Sequence, residues 1–207
     1  NVTNQWFEAV SQGDHGRMLE MIKTGFSVDT VQISRDEDQN MRLTALMLST
    51  ALDFEEVTKL LLKYGANLNA KDAVCFCFLS FRFVVKKKKK ILIERHGQQL
   101  GRTPLIHGCQ KNSLKCIKIL IQQESTLVDA GDKKKKTPLM YAAACGFDKV
   151  VSYLLEHNPK QINAQDCNGM TALMHAIMSD QRNDECIRFI MSYKPDYTLQ
   201  NQALSCS

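Results

Sequence analysis

Apolar positions recur along this chain at helical spacing, in short paired segments punctuated by glycine. The clearest pair opens at Thr137. Leu139, Ala142 and Ala143 form an apolar face at helical spacing. Thr137 offers a hydroxyl to cap the helix N-terminus, and Pro138 sits at the first helical position, where its missing N–H costs nothing. Gly146 ends this helix. A second helix is expected from Asp148 to Glu156, with Val150, Val151, Leu154 and Leu155 as its buried stripe. One such pair cannot bury both of its faces, so it needs copies on either side.

The copies are present. Thr44-Ala45-Leu46-Met47 opens one, with a second helix from Phe54 to Lys63. Thr103-Pro104-Leu105-Ile106 opens the next, with a second helix from Ser113 to Gln123. Thr171-Ala172-Leu173-Met174 opens the last, and its second helix runs through Cys186, Ile187, Phe189, Ile190 and Met191. Thr103, Thr137 and Thr171 are spaced by 34 residues. Asn4 to Asp29 is a degenerate first unit marked by Trp6, Phe7, Ala9 and Val10, then Met18, Leu19 and Ile22. It lacks Thr-Pro, as suits a cap with a polar outer face. Thr30 to Asn40 reads as a polar, longer connection. Gln202 to Ser207 would start another finger, and truncation is expected at this end.

The Thr-Pro-Leu-Met-Tyr-Ala run at Thr137 resembles the opening signature of ankyrin repeats. Gly65-Ala66-Asn67-Leu68-Asn69-Ala70-Lys71-Asp72 closely resembles the family's closing octet. The resemblance implies an all-α solenoid of stacked helix-turn-helix units with β-hairpin-like finger loops. Its units span about 4–29 as a cap, then 40–72, 99–132, 133–166 and 167–201. Met47, Ile106, Met140 and Met174 stand where the family places a histidine, which implies loss of the usual Thr–His hydrogen bond in favour of apolar packing. None of His15, His96, His107, His157 and His175 has a recognisable partner in the sequence, so they read as core or surface residues. Lys135 occupies the position of Gly101 and Gly169, where a positive φ would strain it by about 1 kcal/mol.

Ankyrin proteins usually bind partners with the finger tips and the exposed side of the first helices. Carried onto this chain, those positions are Gln99, Leu100, Arg102, Gln110 and Lys111 in the third unit. In the fourth they are Lys133, Lys134, Lys136, Ala144 and Cys145, and in the fifth Cys167, Asn168, Met170, Met178 and Ser179. The second unit would present Asn40, Met41, Leu43, Ala51 and Leu52.

One segment breaks the frame. Thr44 and Thr103 are 59 residues apart, and the excess falls at about 73–98, at a finger tip. Four of the nine phenylalanines (Phe76, Phe78, Phe81, Phe83) lie here, beside Cys75, Cys77 and the run Lys86 to Lys90. Three readings stand. It is an extended functional hairpin, a membrane-touching loop, or a gene-model artefact such as a retained intron; the abrupt change of composition favours the last.

Charge adds little to this picture. The net charge of +5 comes from Lys86–Lys90 and Lys133–Lys136, and without those nine lysines the balance is −4. A general nucleic-acid surface is therefore not indicated. Eight cysteines would suit a disulfide scaffold. However, Cys109, Cys116, Cys145 and Cys186 fall on expected helices, where free thiols pack as small hydrophobes. That argues for an intracellular location, the cytoplasm in preference to the nucleus. No zinc spacing, phosphate loop or catalytic constellation is readable, so no catalytic residue, cofactor or metal is expected. No small-molecule substrate and no membrane partner are expected.

The leading functional reading is a protein-binding module or scaffold whose partner carries an acidic patch. The alternative is a regulatory or substrate-recruiting segment of a larger enzyme of kinase or ubiquitin ligase type. A weaker alternative is anion or nucleic-acid binding through the lysine runs.

Overall fold

The computed structural model describes residues 2–36, 39–72, 101–179 and 183–201. The segment 73–98, with the readings placed on it, lies outside the described residues. Among the described residues, five helix pairs follow one another. They are α1 (Val2–Gln12) and α2 (His15–Lys23), α3 (Ala45–Ala51) and α4 (Glu55–Lys63), α5 (Pro104–Lys111) and α6 (Leu114–Gln123), α7 (Pro138–Ala144) and α8 (Asp148–His157), and α9 (Ala172–Ile177) and α10 (Asp184–Ser192).

The first helices form one row, in which α3 packs on α1 and α5, and α7 packs on α5 and α9. In the second row α4 lies between α2 and α6, and α10 lies against α8. Small side chains allow the first row its close spacing. Ala45, Cys109, Ala142, Ala143 and Ala172 have no exposed surface. At Gly108 a β-carbon would come within 3.0 Å of the Thr50 methyl group, so glycine lets α5 approach α3.

Thr44, Thr103, Thr137 and Thr171 each cap a first helix. Each hydroxyl accepts the N–H of the residue three further on, at 3.3, 3.4, 3.4 and 3.4 Å. Met47, Ile106 and Met140, which donate these N–H groups, are buried, and the Thr137 N–H reaches the Met140 sulfur at 3.5 Å. In α8 the stripe Val150, Val151, Leu154 and Leu155 is fully or nearly fully buried. Truncating one of these to alanine costs about 2–5 kcal/mol. The additional residue in the third and fourth units is absorbed after the second helix, where short 3₁₀ turns form at Ser125–Asp129 and Pro159–Asn163.

The connection expected over Thr30 to Asn40 is more ordered than its polar composition suggests. Val31–Asp36 (β1) and Gln39–Thr44 (β2) pair antiparallel, with Val31 opposite Thr44 and Asp36 opposite Gln39. The second unit's finger is thus a regular two-stranded ribbon. Its signal is weak in sequence because the pairing rests on backbone groups, which any residue supplies.

Candidate partner-binding surface

The fingers of the third, fourth and fifth units are each held at the base by one buried aspartate, Asp72, Asp132 and Asp166. In the fourth unit, Asp132 donates its N–H to the Lys136 carbonyl at 3.1 Å. Its Oδ1 accepts the N–H groups of Lys134 and Lys136, both at 2.8 Å. Asp166 repeats the pattern with Asn168 and Met170, at 2.8 and 3.0 Å. In every case the second carboxylate oxygen takes a side chain from the following first helix. Asp132 Oδ2 accepts the Tyr141 hydroxyl at 2.8 Å, and Asp166 Oδ2 lies 2.8 Å from His175 Nε2.

Asp72 does the same across a long interval. Its N–H donates to the Arg102 carbonyl at 3.0 Å, and its Oδ1 accepts the Arg102 N–H at 2.8 Å. Its Oδ2 takes Arg102 Nε at 2.9 Å and lies 3.0 Å from His107 Nε2. The finger base of the third unit is therefore closed as in its neighbours, although Asp72 and Arg102 stand 30 residues apart. Burial opposes ionisation of Asp72. The His107 hydrogen bond and the His107 and Arg102 charges outweigh it and hold the carboxyl below its ordinary value. Burial pushes His107 down, against the pull of Asp72.

These clamps correct the reading of the histidines. His107 and His175 are not partnerless; each fixes a finger to a helix. The sequence did carry a signal. Tyr141, His107 and His175 all lie four residues after a capping threonine, and Asp132 and Asp166 lie five before one. Asp72 escapes that register because the excess segment intervenes.

The tip residues are sorted by the same geometry. Arg102 and Met170 were expected to face a partner, but both are buried, at 5 % and 9 % exposure, as is Leu43 in the second unit. The residue just before the capping threonine has its N–H tied to the clamp aspartate, which turns its side chain inward. Arg102 goes into the Asp72 clamp, and Met170 receives Asn201 Nδ2 on its sulfur at 3.3 Å. Lys136, at the same position, is half-buried with its ammonium 4.8 Å from the Tyr141 ring centre.

Lys133, Cys167 and Asn168 are exposed and Lys134 is half-buried. The Lys134 carbonyl accepts the Cys167 N–H at 2.9 Å, which joins the fourth and fifth fingers. Lys135 has φ +58°, matching Gly101 at +68° and Gly169 at +74°. On the first helices, Gln110 accepts from Arg102 Nη1 at 3.1 Å. Gln110, Lys111, Ala144, Cys145 and Ser179 are half-buried, as are Ala51 and Leu52 in the second unit. Met178 is 70 % exposed. Burial and the Arg102 charge push Lys111 down, partly offset by Cys145. Gln99 and Leu100, and the side chains of Asn40 and Met41, lie outside the described residues.

Charge is sorted between the two sides of the stack. Among the described residues of this surface in the third to fifth units, the accessible charges are Lys111 and Lys133 to Lys136, while Asp72, Asp132 and Asp166 are buried in the clamps. The opposite side is mixed: a shallow groove of about 340 Å³ there is lined by Lys118 and Lys149 together with Asp148, Glu156 and Glu185. Among the described residues, no three His, Cys, Asp or Glu side chains are grouped to hold a metal. No described helix is long and apolar enough to cross a membrane. Among the described residues, Cys109, Cys116, Cys167 and Cys186 are free thiols. Burial pushes the Cys116 thiol up to about 12 and the Cys186 thiol up to about 11.

Comparison with known families agrees with this architecture. A single ankyrin repeat is matched at residues 41–73. The ankyrin repeats (3 copies) family is matched at 83–166 and again at 124–201. The match that opens at residue 83 takes in part of the segment 73–98. A search of curated proteins found no match. Ankyrin repeats are generally protein-interaction modules and typically not catalytic. With matches over well more than half of its length and a stack of paired helices closed by fingers, the chain belongs to the ankyrin repeat family.

Proposed function

We propose that the chain is a protein-binding module or scaffold. Its partner lies on the finger tips and the neighbouring first-helix surface, and presents an acidic patch beside an apolar strip. The observation that supports this is the charge sorting: lysines stand outward on this surface while its aspartates are turned in. Lys133, Lys134 and Lys136, with Lys111 behind them, would meet carboxylates. Ala144, Cys145 and Met178 would meet the apolar strip, and Gln99, Leu100, Gln110, Cys167, Asn168 and Ser179 would complete the contact. Exposed lysine pairs contribute about 0–1 kcal/mol each, so they favour fast encounter and selection, and the apolar contacts supply affinity. No role in bond making or breaking is assigned to any residue. An intracellular setting is proposed on the free thiols of Cys109, Cys116, Cys167 and Cys186.

The test is affinity capture followed by mass spectrometry, with the chain compared against K133E/K134E/K136E. Proteins retained by the chain and lost by the variant, with the two melting alike, support the reading. An identical set of captured proteins sinks it. Binding that survives the charge reversal but falls with salt as counterion release requires would favour a nucleic-acid surface elsewhere.

A further inference from the structure

Asn168-Gly169 is the one Asn-Gly pair in the chain. It forms the tip of the fifth finger, where Asn168 is exposed and Gly169 has φ +74°. The Asn168 side chain is held lightly: its Oδ1 accepts the Cys167 thiol at 3.8 Å. Asn163 gives the contrast. It is also exposed, but its Oδ1 accepts the Asp196 N–H at 2.8 Å, and Ala164 follows it. The tip is a β-turn in which Gly169 donates its N–H to the Asp166 carbonyl at 3.0 Å. That bond must open before the Gly169 nitrogen can reach the Asn168 side-chain carbonyl. Exposed finger tips open locally at little cost, and glycine brings no side chain to block the approach.

We propose that Asn168 is a site of spontaneous covalent modification, converted through a cyclic imide to aspartate and isoaspartate. The Gly169 nitrogen attacks Asn168 Cγ. The new N–Cγ bond replaces the Cγ–Nδ2 bond, and ammonia leaves with the proton that the Gly169 nitrogen gives up. Water then opens the imide. Addition at Cγ restores the backbone and leaves aspartate. Addition at the main-chain carbonyl leaves isoaspartate, whose backbone is longer by one methylene. The two products act differently on the finger. Aspartate keeps the bonds from the Asn168 and Met170 N–H groups to Asp166 Oδ1, at 2.8 and 3.0 Å, and adds one negative charge to a surface whose accessible charges are lysines. Isoaspartate lengthens the chain between those two donors, so they no longer meet Asp166 Oδ1 together, and the clamp of the fifth finger loosens. The conversion does not depend on the partner assigned to this surface, so either reading can fail alone.

The test holds the full chain at physiological pH and temperature, samples it over time and digests each sample briefly with trypsin. The peptide from Gln161 to Arg182 carries both Asn163 and Asn168. Fragmentation mass spectrometry should place the amide-to-acid mass change on Asn168, with isoaspartate among the products, and leave Asn163 unchanged. The conversion should quicken as pH rises, because the attacking nitrogen must shed its proton. N168Q, whose longer side chain does not close the same five-membered ring, should lose the change in this peptide while its circular dichroism spectrum stays that of the chain. Two results would overturn the proposal. One is an Asn168 that stays intact in the chain over a period in which the released peptide, incubated alone, converts; the turn bond to Asp166 then holds the nitrogen out of reach. The other is conversion at Asn163 as fast as at Asn168, which would leave the finger tip with no special chemistry.

Discussion

At the scale of single residues, the fold depends on groups that join a finger to a helix. Removing the Tyr141 hydroxyl leaves one oxygen of the buried Asp132 short of a donor. Y141F should lose about 1–3 kcal/mol, read from urea unfolding. Lys135 carries the opposite opportunity. At φ +58° a side chain is strained, so K135G should gain up to about 1 kcal/mol, and an unchanged or lower stability would count against that strain. His107 sets a pH dependence. Burial lowers its folded-state value below the ordinary 6.5, so the unfolded chain binds this proton more readily. Stability is then full above 6.5 and falls as pH drops below it towards the folded-state value. The lowered Asp72 adds a loss in the same direction below 3.8. The melting temperature of the chain should drop between pH 7.5 and pH 5 by more than that of H107Q, which lacks the buried imidazole.

At the scale of elements, two connections decide how the helices meet. Gly146 follows α7 at φ +70°, and a β-carbon there would come 1.9 Å from Asn183 Oδ1. Asn183 is held by bonds from its Nδ2 to the Ala143 and Ala176 carbonyls at 3.2 and 3.1 Å. It cannot move without breaking them. G146A should therefore cost more than the roughly 1 kcal/mol of backbone strain alone, measured by thermal unfolding. The third finger gives the other case. Asp72 and Arg102 close its base as if residues 73–98 were not there. Deleting 73–98 leaves Asp72-Gln99-Leu100-Gly101-Arg102-Thr103, an ordinary finger in sequence. The deletion variant should fold and melt at or above the temperature of the chain. Loop closure over 2 residues in place of 28 puts the gain at about 2 kcal/mol at most. Failure to fold would show that the segment belongs to the stack.

The elements also show why some features were legible in sequence and others were not. Helix pairs could be read because burial imposes a period: Val150, Val151, Leu154 and Leu155 had to face inward together. The capping threonines could be read because helix ends require a side-chain acceptor. The β1–β2 ribbon followed only from the family resemblance, which implies hairpin-like fingers, since backbone pairing leaves little trace in side chains. Arg102 and Met170 were misplaced outward for a related reason: a hydrogen bond from their own N–H, and not their polarity, sets their direction. His107 looked partnerless because its aspartate lies 35 residues away in the chain.

At the scale of the whole molecule, a stack gives two kinds of surface. The side carrying fingers and first helices is built of positions the core leaves free, and there the lysines collect. The side carrying the second helices is of mixed charge. The central claim is that partners use the first of these. Photo-crosslinking tests it most directly, with a crosslinking residue placed singly at Lys134, Gln110 or Ala144, and for comparison at Lys118 or Ser152 on the outer side. The account predicts that a captured partner crosslinks from the first three positions and not from the last two. Crosslinks confined to Lys118 and Ser152 would contradict it.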